Sequence, residues 1–161
     1  MAEDLRIGIG TDIHRLEPGL RLILGGVEVP SETGAVGHSD ADALTHAVTD
    51  ALLGALAAGD IGAHFSDQDP RWKDADSLKF LSHAMTIADG EGYEVANVDS
   101  TIELERPKLR EHIDLMRKNL ATALGIGIER VSVKAKTGEG VDSVGTGAAV
   151  KVTAIVLLRQ R

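Results

Sequence analysis

The apolar residues of this chain change their spacing from two to between three and four and back again, and that change of period limits what the chain can fold into. Over residues 5–13, Leu5, Ile7 and Ile9 alternate with Arg6, Gly8 and Gly10, the pattern of a half-buried strand. From about 40 to 58 the spacing lengthens, and Ala43, Leu44, Ala47, Val48, Ala51, Leu52 and Leu53 fall on one helical stripe. Ser39 followed by Asp42 resembles a capping box with Asp in the Glu position, which starts this helix at Ser39. A helical bundle has no use for the first pattern and a β-sandwich none for the second. The chain is therefore predicted to pack helices against a sheet.

The remaining elements are read in the same way. "RLILGGVEV" at 21–29 is two short apolar runs around Gly25-Gly26, a hairpin. Residues 59–75 are polar, with Gly, Asp and Pro, and read as a loop. "ADSLKFLSHAMTIADGEG" is a second helix stopped by its glycines. "YEVANVDSTIEL" alternates as a strand, and Pro107 closes it. "KLREHIDLMRKNLATALG" is a third amphipathic helix, and the strands "RVSVKAKT" and "AAVKVTAIVLLR" flank a Gly-rich loop over 138–147. No repeat or linker interrupts the pattern. Residues 1–161 are read as one α+β domain with three helices on one sheet.

Composition narrows the functional classes. Only four residues are Phe, Trp or Tyr, so Val, Ile, Leu and Ala must fill the core. A net charge of −8 with no basic run argues against nucleic acid or an anionic membrane surface as the main partner. A small anionic substrate remains open, held by metals, backbone N–H groups and a few local Lys or Arg residues. With no cysteine, disulfides, thiolate metal sites and Cys nucleophiles are excluded. No apolar run reaches the roughly 18 residues of a membrane span, and no signal-peptide pattern opens the chain, so a cytoplasmic location is expected.

The stretch "GTDIHRL" at 10–16 places an aspartate and a histidine where a strand would ordinarily carry Val or Thr. Residues i and i+2 of a strand share a face, so Asp12 and His14 can aim an oxygen and a nitrogen at one point. His46 lies four residues after Asp42 on the first helix, and a strand end beside that helix would complete an Asp-His-His set. Such N and O donors suit Zn²⁺ and leave a fourth position open, as in catalytic zinc sites. The spacing alone is equally compatible with histidines satisfied in the core or on the surface.

Three further stretches carry chemistry with a structural alternative beside each. His38 and Ser39 precede the first helix, where free N–H groups attract a phosphate, or Ser39 is simply its cap. "GDIGAHFSDQD" gathers Asp60, Asp67 and Asp69, which either accept hydroxyl protons from a polyol or form a solvated turn. "KAKTGEG" leaves a strand with Thr137 and Glu139, fit to wrap a phosphate beside Mg²⁺ or to form an ordinary hairpin.

Taken together, "GTDIH", "GGVEVP", "HSDADALTHAVTDALLGA", "GDIGAHF", "DQDP", the "DS" at 76–77, "NVDSTI", "RPKL" and "VKAKTGEG" resemble, in order and spacing, the 2-C-methyl-D-erythritol 2,4-cyclodiphosphate synthase family. The resemblance covers nearly the whole chain. It implies a ferredoxin-like α+β domain that assembles as a homotrimer with active sites between subunits. It also implies zinc ligands at Asp12, His14 and His46, and transition-state stabilisers at His38 and Thr137. Glu139 takes the place of the ligand to Mg²⁺ or Mn²⁺. Substrate contacts are implied at Asp12, His14, His38, Ser39, Asp60, Ile61, Gly62, Phe65, Asp67, Asp69, Ser143 and Thr146. The cytidine and phosphate contacts fall at Leu104, Pro107, Lys108, Leu109, Arg110, Lys136, Thr137, Gly138 and Glu139.

The sequence departs from the family in its last loop, where Ser143 and Thr146 stand at positions that often carry Phe and Arg. Any prenyl diphosphate contact along a trimer axis is affected there. Lys136 stands where Thr is common in some members. The activity implied is ring closure of a cytidine-diphosphate-linked methylerythritol phosphate with release of CMP. A zinc phosphohydrolase would use the same ligands with a bound water, and a zinc-stabilised structural trimer would need a fourth protein ligand. His64, His83 and His112 are read as structural or surface residues.

Overall fold

The computed structural model describes residues 4–161. The chain opens with a long strand, β1 (Leu5–Pro18), then the strands β2 (Leu22–Leu24), β3 (Val27–Val29) and β4 (Thr33–Ala35). Helices α1 (Ala43–Ala55), α2 (Ile61–His64) and α3 (Ser77–Gly90) lead to β5 (Tyr93–Glu103). Helix α4 (Ile113–Leu124), β6 (Val131–Lys136), the short α5 (Asp142–Gly145) and β7 (Ala149–Gln160) complete the chain. The main sheet has the order β4-β1-β7-β5-β6, antiparallel except for the β5–β6 pair, while β2 and β3 form the separate hairpin. Gly25 and Gly26 both have positive φ, as a two-residue type I′ turn needs.

The core lies between one sheet face and the three long helices, where Val95, Val98 and Ile102 of β5 and Val150, Val152, Val156 and Leu158 of β7 are fully buried. The α+β reading holds, and the three long helices are where their periodicity put them. The ferredoxin-like expectation does not hold. That topology needs two consecutive strands between two crossover helices, whereas only β5 lies between α3 and α4, and β7 inserts between β1 and β5.

Two local expectations are also corrected. The stretch 59–75 is not all loop: Asp60 caps α2, and Asp69 caps a 3₁₀ turn at Pro70–Trp72. These one-turn elements, with α5, raise the helix count above three. The first helix is capped by Asp42 rather than Ser39. Ala41 has φ 55°, a left-handed conformation that breaks any helix begun at Ser39. The fully buried Asp42 carboxylate accepts from Thr45 N–H (2.9 Å), Thr45 Oγ1–H (2.8 Å), Gly25 N–H (2.8 Å) and Gly26 N–H (2.7 Å). One side chain thus ties the hairpin turn to the helix start.

Strand β1 buries its glycine side, a choice that its alternation leaves open. A Cβ on Gly8 would sit 1.9 Å from the Ala51 carbonyl oxygen, and one on Gly10 would sit 2.0 Å from that of Ala47. Helix α1 therefore lies against bare backbone. Leu5, Ile7, Ile9 and Ile13 point the other way and are 53–70% exposed in the single chain. Ile155 lies across from Ile9 on β7 and extends this apolar outer face.

Candidate active site

Asp12 and His14 follow Gly8 and Gly10 on the same face of β1, so they face α1 where it comes closest. His46, beside Ala47, completes the set. Asp12 Oδ2 lies 2.7 Å from His14 Nε2 and 3.0 Å from His46 Nδ1. One donor atom from each residue lies within 4.8 Å of the others, and this is the one group of three or more potential ligands among the described residues.

The donor chemistry fits a divalent cation. The Val36 carbonyl can only accept, so His14 donates to it through Nδ1–H (2.8 Å), and Nε2 is the nitrogen that faces Asp12, where it donates to the carboxylate as long as no cation takes the place of its proton. Burial opposes ionisation of Asp12, but hydrogen bonds from His14 and His46, with their charge interactions, outweigh it and bring the carboxyl down to about 2. Burial likewise works against a charged His14, and the Asp12 carboxylate reverses this and raises its pKa. The cluster thus attracts positive charge, whether a proton or a metal ion. One carboxylate and two imidazoles are the donors zinc accepts, and three protein ligands is the number of a catalytic zinc site.

The residues before α1 cluster around this set. His38 Nε2 lies 3.1 Å from the Asp69 carbonyl, and the His38 carbonyl accepts from Asp74 N–H, so the segment beyond α2 is held over the metal set. Ser39 Oγ lies 3.1 Å from His46 Nε2. Within that segment Phe65 is buried and stacks on Phe80 at 4.3 Å between centroids, Trp72 packs edge-on to both, and Phe80 stacks on His46. Three of the four aromatic residues join the loop to the metal helix.

The carboxylates here are partly committed. Asp60 accepts from Ala63 N–H, and Asp69 is paired with Arg71 at 2.6 Å. Ile61 donates its N–H to Asp50, Gly62 is exposed, and Asp67 is exposed beside Gln68.

The second group of expected residues surrounds a cavity of about 940 Å³. Leu104, Pro107, Lys108, Leu109, Arg110, Lys136 and Thr137 all line it, joined by Lys134, Ala135, Glu111, Ile113 and Asp114. Four cations against two carboxylates make this wall locally basic on an acidic protein, and Lys108, Arg110 and Lys136 have no ion-pair partner among the described residues. Leu104 and Leu109 are buried beneath it. The 138–147 loop is closed on itself, since a Cβ on Gly138 would meet Gly145 N at 2.5 Å, and it is tied to the segment after β5 by the Gly138 N–H, which donates to Glu105 (2.8 Å).

Glu139 is exposed with φ 53° and lies outside the three-ligand group. Ser143 is exposed, and Thr146 lines a different cavity of about 400 Å³ with Arg106 and Gly147. His64 and His83 pack against Phe65, and His112 lies in the turn before α4.

The two groups of residues do not meet within one chain. Ile13, Lys151, Glu103 and Lys136 lie in one row across the sheet, so both groups occupy the same end. Strands β7 and β5 nevertheless intervene between β1 and β6, three strand spacings, about 14 Å.

The sequence reading missed Asp40, Ser77, Lys134 and Glu105. Lys134 was available from its i, i+2 relation to Lys136. Glu105 directly follows Leu104, but its bond to Gly138 joins residues 33 apart.

Comparison with known proteins agrees with this geometry. The YgbB family pattern matches residues 5–159. A 2-C-methyl-D-erythritol 2,4-cyclodiphosphate synthase from Solibacter usitatus is 55% identical over 157 residues, covering 98% of this chain and 99% of its own. A solved structure of 2C-methyl-D-erythritol-2,4-cyclodiphosphate synthase in a CDP-bound form superposes with a TM-score of 0.88 at 41% identity, over 95% of this chain and 99% of that one. The bifunctional IspDF of Campylobacter jejuni superposes with a TM-score of 0.95 at 33% identity, over 99% of this chain and 43% of that longer one. Matched along almost its whole length, the chain belongs to the YgbB family.

Proposed function

We propose that this chain is a cyclodiphosphate synthase, a lyase of isoprenoid precursor biosynthesis by the non-mevalonate route. It converts 4-diphosphocytidyl-2-C-methyl-D-erythritol 2-phosphate to 2-C-methyl-D-erythritol 2,4-cyclodiphosphate and CMP. An oxygen of the 2-phosphate forms a bond to the β-phosphorus, the bond from that phosphorus to the oxygen of the α-phosphate breaks, and CMP departs with the electron pair. The near full-length likeness to synthases carries this reading, because it alone favours intramolecular attack over hydrolysis.

The substrate brings its own nucleophile, so the protein's task is to position it and to offset charge. Asp12, His14 and His46 would hold Zn²⁺, and Glu139 would hold Mg²⁺ or Mn²⁺, whose positive charge would offset that of the diphosphate. Leu104, Pro107 and Leu109 receive the cytidine, while Lys108, Arg110 and Lys136 hold its phosphates, with Gly138 in the loop beside them. His38 and Thr137 donate to the oxygens where charge builds up. Ser39, Asp60, Ile61, Gly62, Phe65, Asp67 and Asp69 hold the folded methylerythritol. Ser143 and Thr146 do not line the nucleotide cavity, and Thr146 faces the smaller one beside Arg106.

Residues 1–161 act as one synthase domain, in the cytoplasm and as a homotrimer. Two observations support the assembly: the apolar outer face of β1 and β7 needs a cover, and the metal set and nucleotide cavity lie apart within one chain. Each site then joins the metal set of one subunit to the cavity of its neighbour.

Reaction in ¹⁸O-water tests the chemistry. No label is expected in either product, and the methylerythritol product should be lighter than a hydrolysis product by one water. One ¹⁸O per turnover would replace the synthase with a zinc phosphohydrolase and leave the metal site intact.

A further inference from the structure

Ser77 begins α3, is fully buried, and stands between a metal-ligand candidate and a carboxylate. Its Oγ lies 2.6 Å from His46 Nε2 and also hydrogen-bonds Asp40 Oδ1, while its backbone N–H donates to Asp40 Oδ2 at 3.0 Å. Asp40 is itself held in place: its Oδ1 accepts from Asp42 N–H, and its own N–H donates to the Ala75 carbonyl.

A serine hydroxyl has one proton to give. Asp40 serves as acceptor to its neighbours, so the Ser77 proton is donated to Asp40 and a Ser77 lone pair faces His46. Nε2 of His46 must then be the protonated nitrogen. With Nε2 protonated, the lone pair of a neutral ring falls on Nδ1, the nitrogen that faces Asp12 Oδ2 where the three ligand atoms converge, and a cation bound there would take the place of the proton through which His46 hydrogen-bonds Asp12. Phe80, three residues further along α3, stacks on the same imidazole at an interplanar angle of 21°. Helix α3 thus grips the ring by its outer nitrogen and by its face.

We propose that the Asp40–Ser77 pair is a positioning device for His46, fixing the tautomer and orientation that present Nδ1 to a divalent cation. The inference rests on the metal reading proposed above. Ser39 Oγ also approaches Nε2, but at 3.1 Å, from a half-buried loop, and with only a 3.4 Å bond from Ala41 N–H to anchor it. Ser77 is the anchored partner, and Ser39 remains available to substrate. Outer partners of this kind hold a ligand ring against the loss of order that binding would otherwise require, and their removal typically weakens metal affinity about 10–100-fold.

The test is a titration of metal-stripped protein with zinc against a chelating competitor, read as affinity rather than activity. Ser77→Ala should bind zinc about 10–100-fold more weakly than the unmodified protein, and Ser39→Ala should stay within about threefold. No zinc binding by the unmodified protein would defeat the metal reading, and the positioning role with it. Normal binding by the unmodified protein with equal binding by Ser77→Ala would overturn the positioning role alone, as would an equal loss in Ser39→Ala. If Ser77→Ala does not fold, ¹⁵N-edited NMR of the unmodified zinc-loaded protein decides the matter. A His46 Nε2–H resonance that exchanges slowly with solvent is expected, and exchange as fast as that of free imidazole would refute the proposal.

Discussion

Gly10→Ala is the smallest change that should disable the metal site without touching a ligand. Its Cβ would lie 2.0 Å from the Ala47 carbonyl oxygen and 2.6 Å from the Ala51 N, and ordinary contact begins at 3.4 Å. Both obstacles are backbone, so no rotamer change relieves them, and α1 must withdraw from β1 by about 1.4 Å. His46 adjoins Ala47, and Asp12 lies two residues beyond Gly10, so the withdrawal falls on the 3.0 Å approach between them. Metal–ligand distances tolerate about 0.2 Å, several times less than this shift. The variant should lose about 1–3 kcal/mol of stability through overpacking and at least about tenfold in zinc affinity. Urea unfolding of metal-free protein and competitive zinc titration measure the two effects. Gly54→Ala is the control. It lies in α1 with its nearest contact at 3.8 Å, so it should gain up to about 1 kcal/mol of helix stability and bind zinc normally. Unchanged stability and zinc affinity in Gly10→Ala would show that the bare-backbone contact does not set the helix position.

Glu139→Gln should keep its zinc yet lose most of its activity, partly restored by raised Mg²⁺ or Mn²⁺; an unaltered metal dependence would count against a second-ion role. If each site spans two subunits, His46→Ala chains refolded in equal amounts with Lys108→Glu/Arg110→Glu chains should regain about a quarter of the sites, the share that pairs two intact halves. No recovery, or an active monomer in light scattering, would place the site within one chain. The Lys134 ammonium, 2.7 Å from Asp99, holds that carboxyl below its ordinary value against a smaller opposing effect of burial. Any stability from this pair is therefore present above the ordinary carboxylate value and fades as pH falls through the lower folded-state value. Both side chains are about half exposed, so Lys134→Ala should cost no more than about 0.5 kcal/mol at pH 7 in urea titrations while weakening CMP binding in calorimetry. A large stability loss with normal CMP binding would reverse that assignment.

The sequence by itself determined the features that depend on neighbours along the chain. The three long helices and the strands other than β4 were legible because their periodicity is local, and the hairpin because two adjacent glycines meet one turn's dihedral demand. The D-x-H pair was legible because strand alternation places i and i+2 on one side. Near full-length motif spacing supplied the family and, with it, the assignment of roles.

Tertiary structure decided whatever depends on contacts between distant segments. Alternation at 5–13 gives two faces but not which is buried. The glycine face won because α1 lies on its backbone, and the apolar face was left outside. Ser39 and Asp42 are both good caps locally, and Asp42 prevailed because the hairpin turn, 16–17 residues earlier, supplies two more donors to its carboxylate. The strand order, with β7 inserted between β1 and β5, follows from pairing along full strand lengths. Ser77 entered the metal site for a similar reason: a hydrogen bond between residues 31 apart has no period to announce it, and it exists only once α1 and α3 have packed.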